Sequence, residues 1–334
     1  MKENAKIVIH KLGESFRECT RIVTEPLREL RSDEVLIRNR FAGVNGVYDQ
    51  MMCANKVDHT PVTPPADAGV EAIGEIAALG SGVTTLKVGD AVASVGAGGG
   101  YRRYTITSAP IVVPAVSREV LAIVPSGVSA LLALERVGDL EHSEVVCITA
   151  AAGGLGNIAT QLAVRAGKHV IAVCGGDDKA SWLRSIGVDR VVQYRRESLG
   201  QVLDEEYRDG IDLAVDSVGG QSFDALVRNL APHGRAVVCG ATTDRLPPQK
   251  VLQERVYNRL YWKAASVRGF MNYRFAEFAP AARERLFAML SAGEIDPLID
   301  SRQFVGLESV PDAVEHLLSG SNVGKVTVAM EHET

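Results

Sequence analysis

The sequence predicts an α/β fold, with a doubly wound parallel sheet inserted into a mostly-β domain that is split across both ends of the chain. Three observations predict it. About the first 120 residues read as strands punctuated by glycine and proline. From Val145 onward, short β-branched runs alternate with helical stretches, the pattern of a parallel sheet covered on both faces. The first strand of that series runs into a glycine-rich turn that opens a helix.

Taken in order, Lys6–His10, Glu34–Phe41, Ile73–Leu79 and Ala91–Val95 read as strands, and Ala97–Gly100 as a flexible glycine turn. Val145–Thr149 is a strand, Leu155–Ala166 a helix, Val170–Cys174 a strand and Asp178–Ile186 a helix. Further strands are expected at Val191–Gln193, Leu213–Ser217, Ala236–Cys239 and Val267–Phe270. A helix is expected over Phe275–Ala292, because Phe278, Ala282, Leu286 and Met289 fall on one face. Gly293 supplies its C-cap. Pro311–Leu318 reads as an amphipathic helix and Lys325–Met330 as the last strand. The polar stretch Leu246–Tyr261, broken at Pro247-Pro248, reads as a cover over a cleft or as a surface excursion. The expected division is 1–122 with 294–334 for the mostly-β domain and 123–293 for the doubly wound one.

Composition narrows the function classes. Of 334 residues, 46% are hydrophobic and 23% charged, which suits a globular chain with a real core. A net charge of −5 argues against a nucleic-acid partner, which calls for a basic field. The cysteines, Cys19, Cys53, Cys147, Cys174 and Cys239, are odd in number and form no CxxC, so a reducing compartment is expected. Met1–His10 is charged and short of apolar residues, and no apolar run reaches the roughly 18 residues needed to span a bilayer. The expectation is a cytoplasmic protein with a small-molecule substrate and no membrane partner.

The strongest motif is Ala150-Ala151-Ala152-Gly153-Gly154-Leu155-Gly156 between a strand and a helix. That context predicts a Rossmann-type dinucleotide site. Gly153 lets backbone approach a pyrophosphate, Gly156 lets helix pack on strand, and the helix N-terminus offers N–H groups and a positive dipole end. Ala151 stands at the first glycine position of the usual pattern. An NAD site places an acid at the end of the second strand. Here that strand ends in Gly175-Gly176, and Asp177 and Asp178 follow as helix-capping residues. Lys179 and Tyr194-Arg195-Arg196 are donors for a 2′-phosphate, so NADPH is the expected cofactor.

The chain resembles the medium-chain dehydrogenase/reductase superfamily, in its zinc-free quinone oxidoreductase branch. The matching stretches include Gly43-Val44-Asn45, Gly69 to Gly74, Val88 to Val92, Thr149 to Gly156, Gly187 to Asp189, Asp216 to Gly220, Val267 to Phe270 and Gly324-Lys325-Val326. The resemblance implies a GroES-like substrate domain, a homodimer paired around Val267–Phe270, and roles for particular residues. Ala151, Gly153, Gly154, Leu155 and Gly156 cradle the pyrophosphate. Lys179 and Tyr194 grip the 2′-phosphate beside Gly175. Ser217, Val218, Gly240, Ala241 and Thr242 surround the ribose and nicotinamide, with Phe270 and Asn272 near the carboxamide. Asn45 reaches the nicotinamide side of the cleft, and Tyr48 is a second catalytic candidate, with Tyr257 and Tyr261 as outsiders. The sequence departs from the family at Gly175-Gly176, where serines are common, at Ser129-Ala130-Leu131, which lacks an aromatic hydroxyl, and in Asn45 to Asp49, which reads one residue longer.

Zinc-dependent members carry an early Cys and a Gly-His-Glu. Here those positions read Val44-Asn45 and Gly69-Val70-Glu71, and the seven histidines are scattered, so no metal is expected. Without a metal to polarise a carbonyl, the expected substrate is an activated alkene conjugated to a carbonyl or thioester. Hydride adds at the β-carbon and charge collects on the carbonyl oxygen, which needs donors. The alternatives are a quinone oxidoreductase, a biosynthetic enzyme of the same fold with altered chemistry, and a non-catalytic NADPH-binding protein.

Overall fold

A computed structural model describes residues 3–96, 98–244 and 255–331. The backbone divides into two compact units, 1–125 with 299–334, and 126–298.

In the unit 126–298, six parallel strands run from edge to edge in the order Arg190–Gln193, His169–Cys174, Val145–Ile148, Ile211–Asp216, Leu230–Val238 and Ser266–Gly269. The chain fills the sheet outward from its middle strand in both directions, which leaves a topological switch beside Val145–Ile148. The strands are near-continuous runs of buried valine, isoleucine and alanine, as a sheet covered on both faces requires. Helices Gly156–Arg165, Asp177–Ser185, Leu199–Glu206 and Gly220–Arg228 make the crossovers. The expected helix over Phe275–Ala292 is two elements. A 3₁₀ turn, Asn272–Phe278, precedes the helix Ala279–Ser291, because Pro280 favours a helix's first turn and disrupts its interior. Ala282 and Leu286 are buried, Phe278 lies under the Arg136 guanidinium, and Gly293 follows the C-cap Ala292 with φ +69°. Residues 245–254, including Pro247-Pro248, lie outside the described residues. The rest of that stretch contains the helix Tyr257–Lys263, on which Tyr257 and Tyr261 are exposed.

The other unit has a six-stranded antiparallel sheet and a three-stranded one. The larger runs Thr327–Ala329, Val35–Gly43, Glu71–Leu79, Ala91–Val95 and Ile111–Val112, with Tyr104–Thr107 also paired to Val35–Gly43. The smaller joins Thr20–Pro26, Glu3–Ile9 and Ala66–Asp67. Register shifts where Gly74 faces Arg38 and Asn39, and a Cβ on Gly74 would lie 1.9 Å from the Arg38 carbonyl oxygen, so only glycine fits. Ile7, Phe16, Val44, Met52, Tyr101, Val314 and Val328 share one core with helices Gly46–Cys53 and Val310–Leu318 around it.

Two expectations are corrected. The glycines after Ala97, itself outside the described residues, are packed rather than a free turn. The Gly98 N–H donates to the Gly69 carbonyl, and a Cβ on Gly100 would lie 2.8 Å from the Val70 nitrogen. One helical segment, Arg118–Val137, is long and apolar enough to cross a membrane, and 78% of its apolar window is buried inside the protein. It alternates α and π turns, the first π stretch containing Pro125, which has no N–H to give the ladder.

One carboxyl sits inside the core just described. Asp49, 2% exposed, accepts from the Tyr101 hydroxyl at 2.6 Å and from the Asn45 N–H at 3.2 Å. Burial pushes its pKa up to about 6, and those hydrogen bonds only partly offset it. Below the usual carboxylate pKa both folded and unfolded forms are protonated, and above about 6 the fold must hold a buried anion. Stability is therefore lost as pH rises from about 4 to about 6, by an amount on the order of 3 kcal/mol. Denaturant titrations across that range should show the loss in the wild type and a flatter profile in Asp49→Asn. Parallel profiles for the two proteins would contradict the assignment.

Candidate functional site

The fingerprint turn is built from a strained start. Ala150 follows the strand Val145–Ile148 and Thr149 with φ +48°, and the Gly153 N–H closes the turn on the Ala150 carbonyl at 2.8 Å. The Ala151 N–H donates to the Val173 carbonyl, which ties the turn to the neighbouring strand. Asn157, fully buried, donates through Nδ2 to the carbonyls of Gly153 at 2.7 Å and Gly154 at 3.0 Å. Thr160 donates to the carbonyls of Gly156 and Ala151. These bonds shape the loop so that the helix Gly156–Arg165 presents its N-terminus at the carboxyl end of the sheet.

The two glycines of the motif do different jobs. A Cβ on Gly156 would lie 2.1 Å from the Ala150 carbonyl oxygen and 2.9 Å from the Ala151 Cα, so the fold itself demands glycine. At Gly153 an added Cβ would meet one atom, the Ala150 oxygen, at 3.1 Å. Internal packing constrains Gly153 less than Gly156, through this one tight contact, and the close approach of a ligand is a further reason for glycine there. The residues present fit a dinucleotide pyrophosphate.

At the end of the next strand, Gly176 is the N-cap of helix Asp177–Ser185. Asp177 and Asp178 are therefore in the first turn, not at the cap, because the chain bends into the helix one residue earlier than expected. Asp177 accepts from Arg196 at 2.7 Å, so Arg196 is engaged on the surface. A Cβ on Gly175 would lie 2.6 Å from the Tyr194 hydroxyl oxygen, so the Tyr194 ring occupies the space that a serine at 175 would need. Lys179 sits on that helix, with Arg195 near the Tyr194 ring.

A third cluster gathers around Asp216, which has no solvent exposure. Thr149 Oγ1 donates to its Oδ1 at 2.6 Å, and the N–H groups of Val218 and Gly219 donate to Oδ1 and Oδ2 at 3.1 and 2.9 Å. The Ser217 N–H returns to Thr149 Oγ1 at 2.9 Å. Thr242 Oγ1 donates to the Ser217 carbonyl at 2.6 Å, and Thr243 Oγ1 to that of Val218. Ser217, Val218, Gly240, Ala241 and Thr242 are thus brought together. Phe270 follows the strand Ser266–Gly269, bonds to the Val238 carbonyl and stacks on Phe275, with Asn272 two residues on. Every predicted cofactor residue of this unit lies at the carboxyl ends of the strands, where doubly wound sheets bind ligands. Asp216, Thr149 and Asn157 organise these turns. The Thr149 and Asp216 stretches were legible as matches, but their mutual bond was not.

In the other unit, Asn45 is the N-cap of helix Gly46–Cys53, and Tyr48 and Asp49 lie in its first turn. Tyr48 is half-buried against the core, 6.2 Å from the His59 ring, and lines a small cavity with Asp49, Met52, Gly69 and Val70. Asn45 Nδ2 donates to Glu71 Oε1 at 2.8 Å, and Lys325 Nζ donates to both Glu71 Oε1 and Asn45 Oδ1, at 2.5 and 3.0 Å. Sequence reasoning gave Glu71 and Lys325 no role. The available signal was a lysine opening an otherwise apolar final strand. Among the described residues no group of three or more His, Cys, Asp and Glu side chains is placed to hold a metal ion.

The two glycines are separable experimentally. Gly153→Val should melt near the wild type while NADPH binding, followed by calorimetry, is lost. Gly156→Val should lower the melting midpoint by several degrees or fail to fold, since backbone must move to admit it. A Gly153→Val protein with wild-type NADPH affinity would remove the ligand-based reason for that glycine.

Residues 31–117 match the alcohol dehydrogenase GroES-like domain family, and residues 154–287 the zinc-binding dehydrogenase family. Prostaglandin reductase-3 of Mus musculus is 38% identical, with 98% of this chain and 89% of the relative covered. A probable quinone oxidoreductase of Leishmania amazonensis is 35% identical, with 98% of each chain covered. Among solved structures, a mycobacterial protein complexed with NADPH is 26% identical with a TM-score of 0.82, covering 98% of this chain and 100% of that one. Both units of the fold are matched, in order and over nearly the whole length, and the chain belongs to the medium-chain dehydrogenase/reductase superfamily.

Proposed function

We propose that the protein is an NADPH-dependent reductase of activated, α,β-unsaturated carbonyl or thioester compounds. The near-full-length likeness to a prostaglandin reductase and a quinone oxidoreductase carries this reading. The cofactor is NADPH, held by the Ala151–Gly156 turn, the Gly175, Lys179 and Tyr194 group, the Ser217-Val218 and Gly240–Thr242 turns, and Phe270 and Asn272. NADPH supplies the hydride that adds to the β-carbon. The chain's own task is to hold the substrate and to stabilise the carbonyl oxygen as it gains charge. Asn45 and Tyr48, on one helical turn, are the donors assigned to that oxygen. Hydrogen bonds that strengthen as charge develops raise turnover rather than ground-state binding.

The reaction is proposed to need no zinc. Val70 stands where a zinc-dependent relative has histidine, and Glu71, the acidic neighbour of that position, is already bonded to the Lys325 ammonium. A fixed cation at that carboxylate opposes a divalent ion beside it. Loss of NADPH absorbance with a panel of enones and quinones, before and after dialysis against a chelator, tests both parts. Turnover is expected with NADPH well above NADH and unchanged by metal removal. No turnover of any member would refute the reductase reading, and activity restored only by added zinc would refute the metal-free one.

A homodimer is part of the same proposal. Ser266–Gly269 is an edge strand with Val267 exposed, and the helix Tyr257–Lys263 exposes Tyr257, Tyr261 and Trp262. An edge with no further strand among the described residues, and with apolar neighbours, favours strand pairing with a second copy. Light scattering should give about twice the chain mass of 35.7 kDa. A monomer at micromolar concentration would count against it.

A further inference from the structure

The Lys325 and Glu71 side chains are 3% and 0% exposed. An ammonium has three N–H groups and accepts nothing. Those of Lys325 go to Glu71 Oε1 at 2.5 Å, Asn45 Oδ1 at 3.0 Å and the Val44 carbonyl at 3.2 Å, so all three are engaged. Glu71 Oε1 also accepts from Asn45 Nδ2 at 2.8 Å, and Glu71 Oε2 is buried with no hydrogen-bond partner among the described residues. The strand makes room for this carboxylate, since a Cβ on Gly43 would lie 2.3 Å from Glu71 Oε1.

This arrangement fixes which way round the Asn45 amide sits. Lys325 can only donate, so the amide oxygen faces it. Glu71 can only accept, so the amide nitrogen faces it. Flipping the amide would set NH₂ against an ammonium and oxygen against a carboxylate, two repulsive contacts in a low-dielectric interior. The oxygen and one N–H are then held, and the second N–H is the polar group left to a ligand. Asn45 is only partly buried, so that group is within reach.

We propose that Glu71 and Lys325 are positioning residues that lock Asn45 as a hydrogen-bond donor, which selects substrates whose reacting oxygen becomes anionic. Such oxygens are those of an enolate or a reduced quinone, and a substrate group that itself donates is not accommodated at this point. This deepens the reductase reading and rests on it for the identity of the oxygen that Asn45 meets.

The test uses a charge-free variant of similar shape, Glu71→Gln/Lys325→Met, because removing one partner strands the other charge and endangers folding. The double variant should melt close to the wild type and bind NADPH unchanged. On an enone the wild type accepts, its kcat should fall by on the order of tenfold or more, with KM little changed. A pair that only braces the fold would not produce that split. A second arm needs no activity. With ¹⁵N-asparagine labelling, the Asn45 side-chain amide is identified by its loss in Asn45→Ala. In the wild type its two proton resonances should be widely separated, one shifted by the bond to Glu71, and they should converge in the double variant. Similar Asn45 resonances in both proteins, or a kcat for the double variant within about twofold of wild type, would overturn the proposal. If the wild type reduced no alkene or quinone, the reductase reading would fail while the amide resonances still decided the orientation.

Discussion

A lysine ammonium and a glutamate carboxylate buried with almost no solvent must satisfy each other, and the substrate-side unit is arranged around that requirement. Separating the two charges would cost several kcal/mol, because each would remain desolvated and unpaired. The bond joins positions 254 residues apart, so it ties the segment just before the strand Thr327–Ala329 to the strand Glu71–Leu79. Gly43 has no side chain because the carboxylate fills its space, and Val44 turns a carbonyl inward to complete the ammonium shell. Asn45 stands at the N-cap of the helix that carries Tyr48 and Asp49, and its side chain bonds to the ion pair rather than to the helix.

The other unit meets a similar problem, among the described residues, with an acid and no partner cation. Asp216 is buried at the end of its strand, and among the described residues its carboxyl accepts from one hydroxyl and two backbone N–H groups. Those bonds fold the 217–219 turn over Thr149, the residue that precedes the fingerprint. The strand-end turns on either side of the switch point are therefore coupled through one carboxylate. Hydrogen bonds to an ionised acceptor are shorter and stronger than neutral ones, which suits them to fixing this turn.

Local patterns made much of this legible. The alternation after Val145 gave the parallel sheet, and the small residues at 150–156 gave the cradle, because each is determined within a few residues of sequence. Boundaries shifted by a residue or several where tertiary pairing extends a strand, as at Leu230–Val238, or where a proline begins a helix, as at Pro280. The strand Thr20–Pro26 was missed, since as an edge strand with mostly exposed residues it carries little hydrophobic alternation. The packed glycines after Ala97 read as a loose turn because what they touch, the Gly69-Val70 backbone, is remote in sequence. The same reason hid the roles of Glu71 and Lys325. Each was visible as part of a matching stretch, but only the fold shows that one lysine meets three acceptors.

Hydrogen-bond donors in place of a metal, as proposed for this site, change what chemistry it can carry. A divalent ion polarises an isolated carbonyl by several kcal/mol of charge stabilisation. One or two amide or phenol donors supply less, so the substrate must share the developing charge through its own conjugation. An enone, an unsaturated thioester or a quinone does so, because the electron pair delivered at carbon ends on an oxygen two bonds or more away. The donor must then be aimed at that oxygen before the charge appears, since reorientation during the reaction would consume the gain. A side-chain amide is ambiguous in this respect, able to offer oxygen or nitrogen at the same place. A buried ammonium on one side and a carboxylate on the other remove the ambiguity, and that requirement gives a physical reason for two opposite charges to sit beside Asn45.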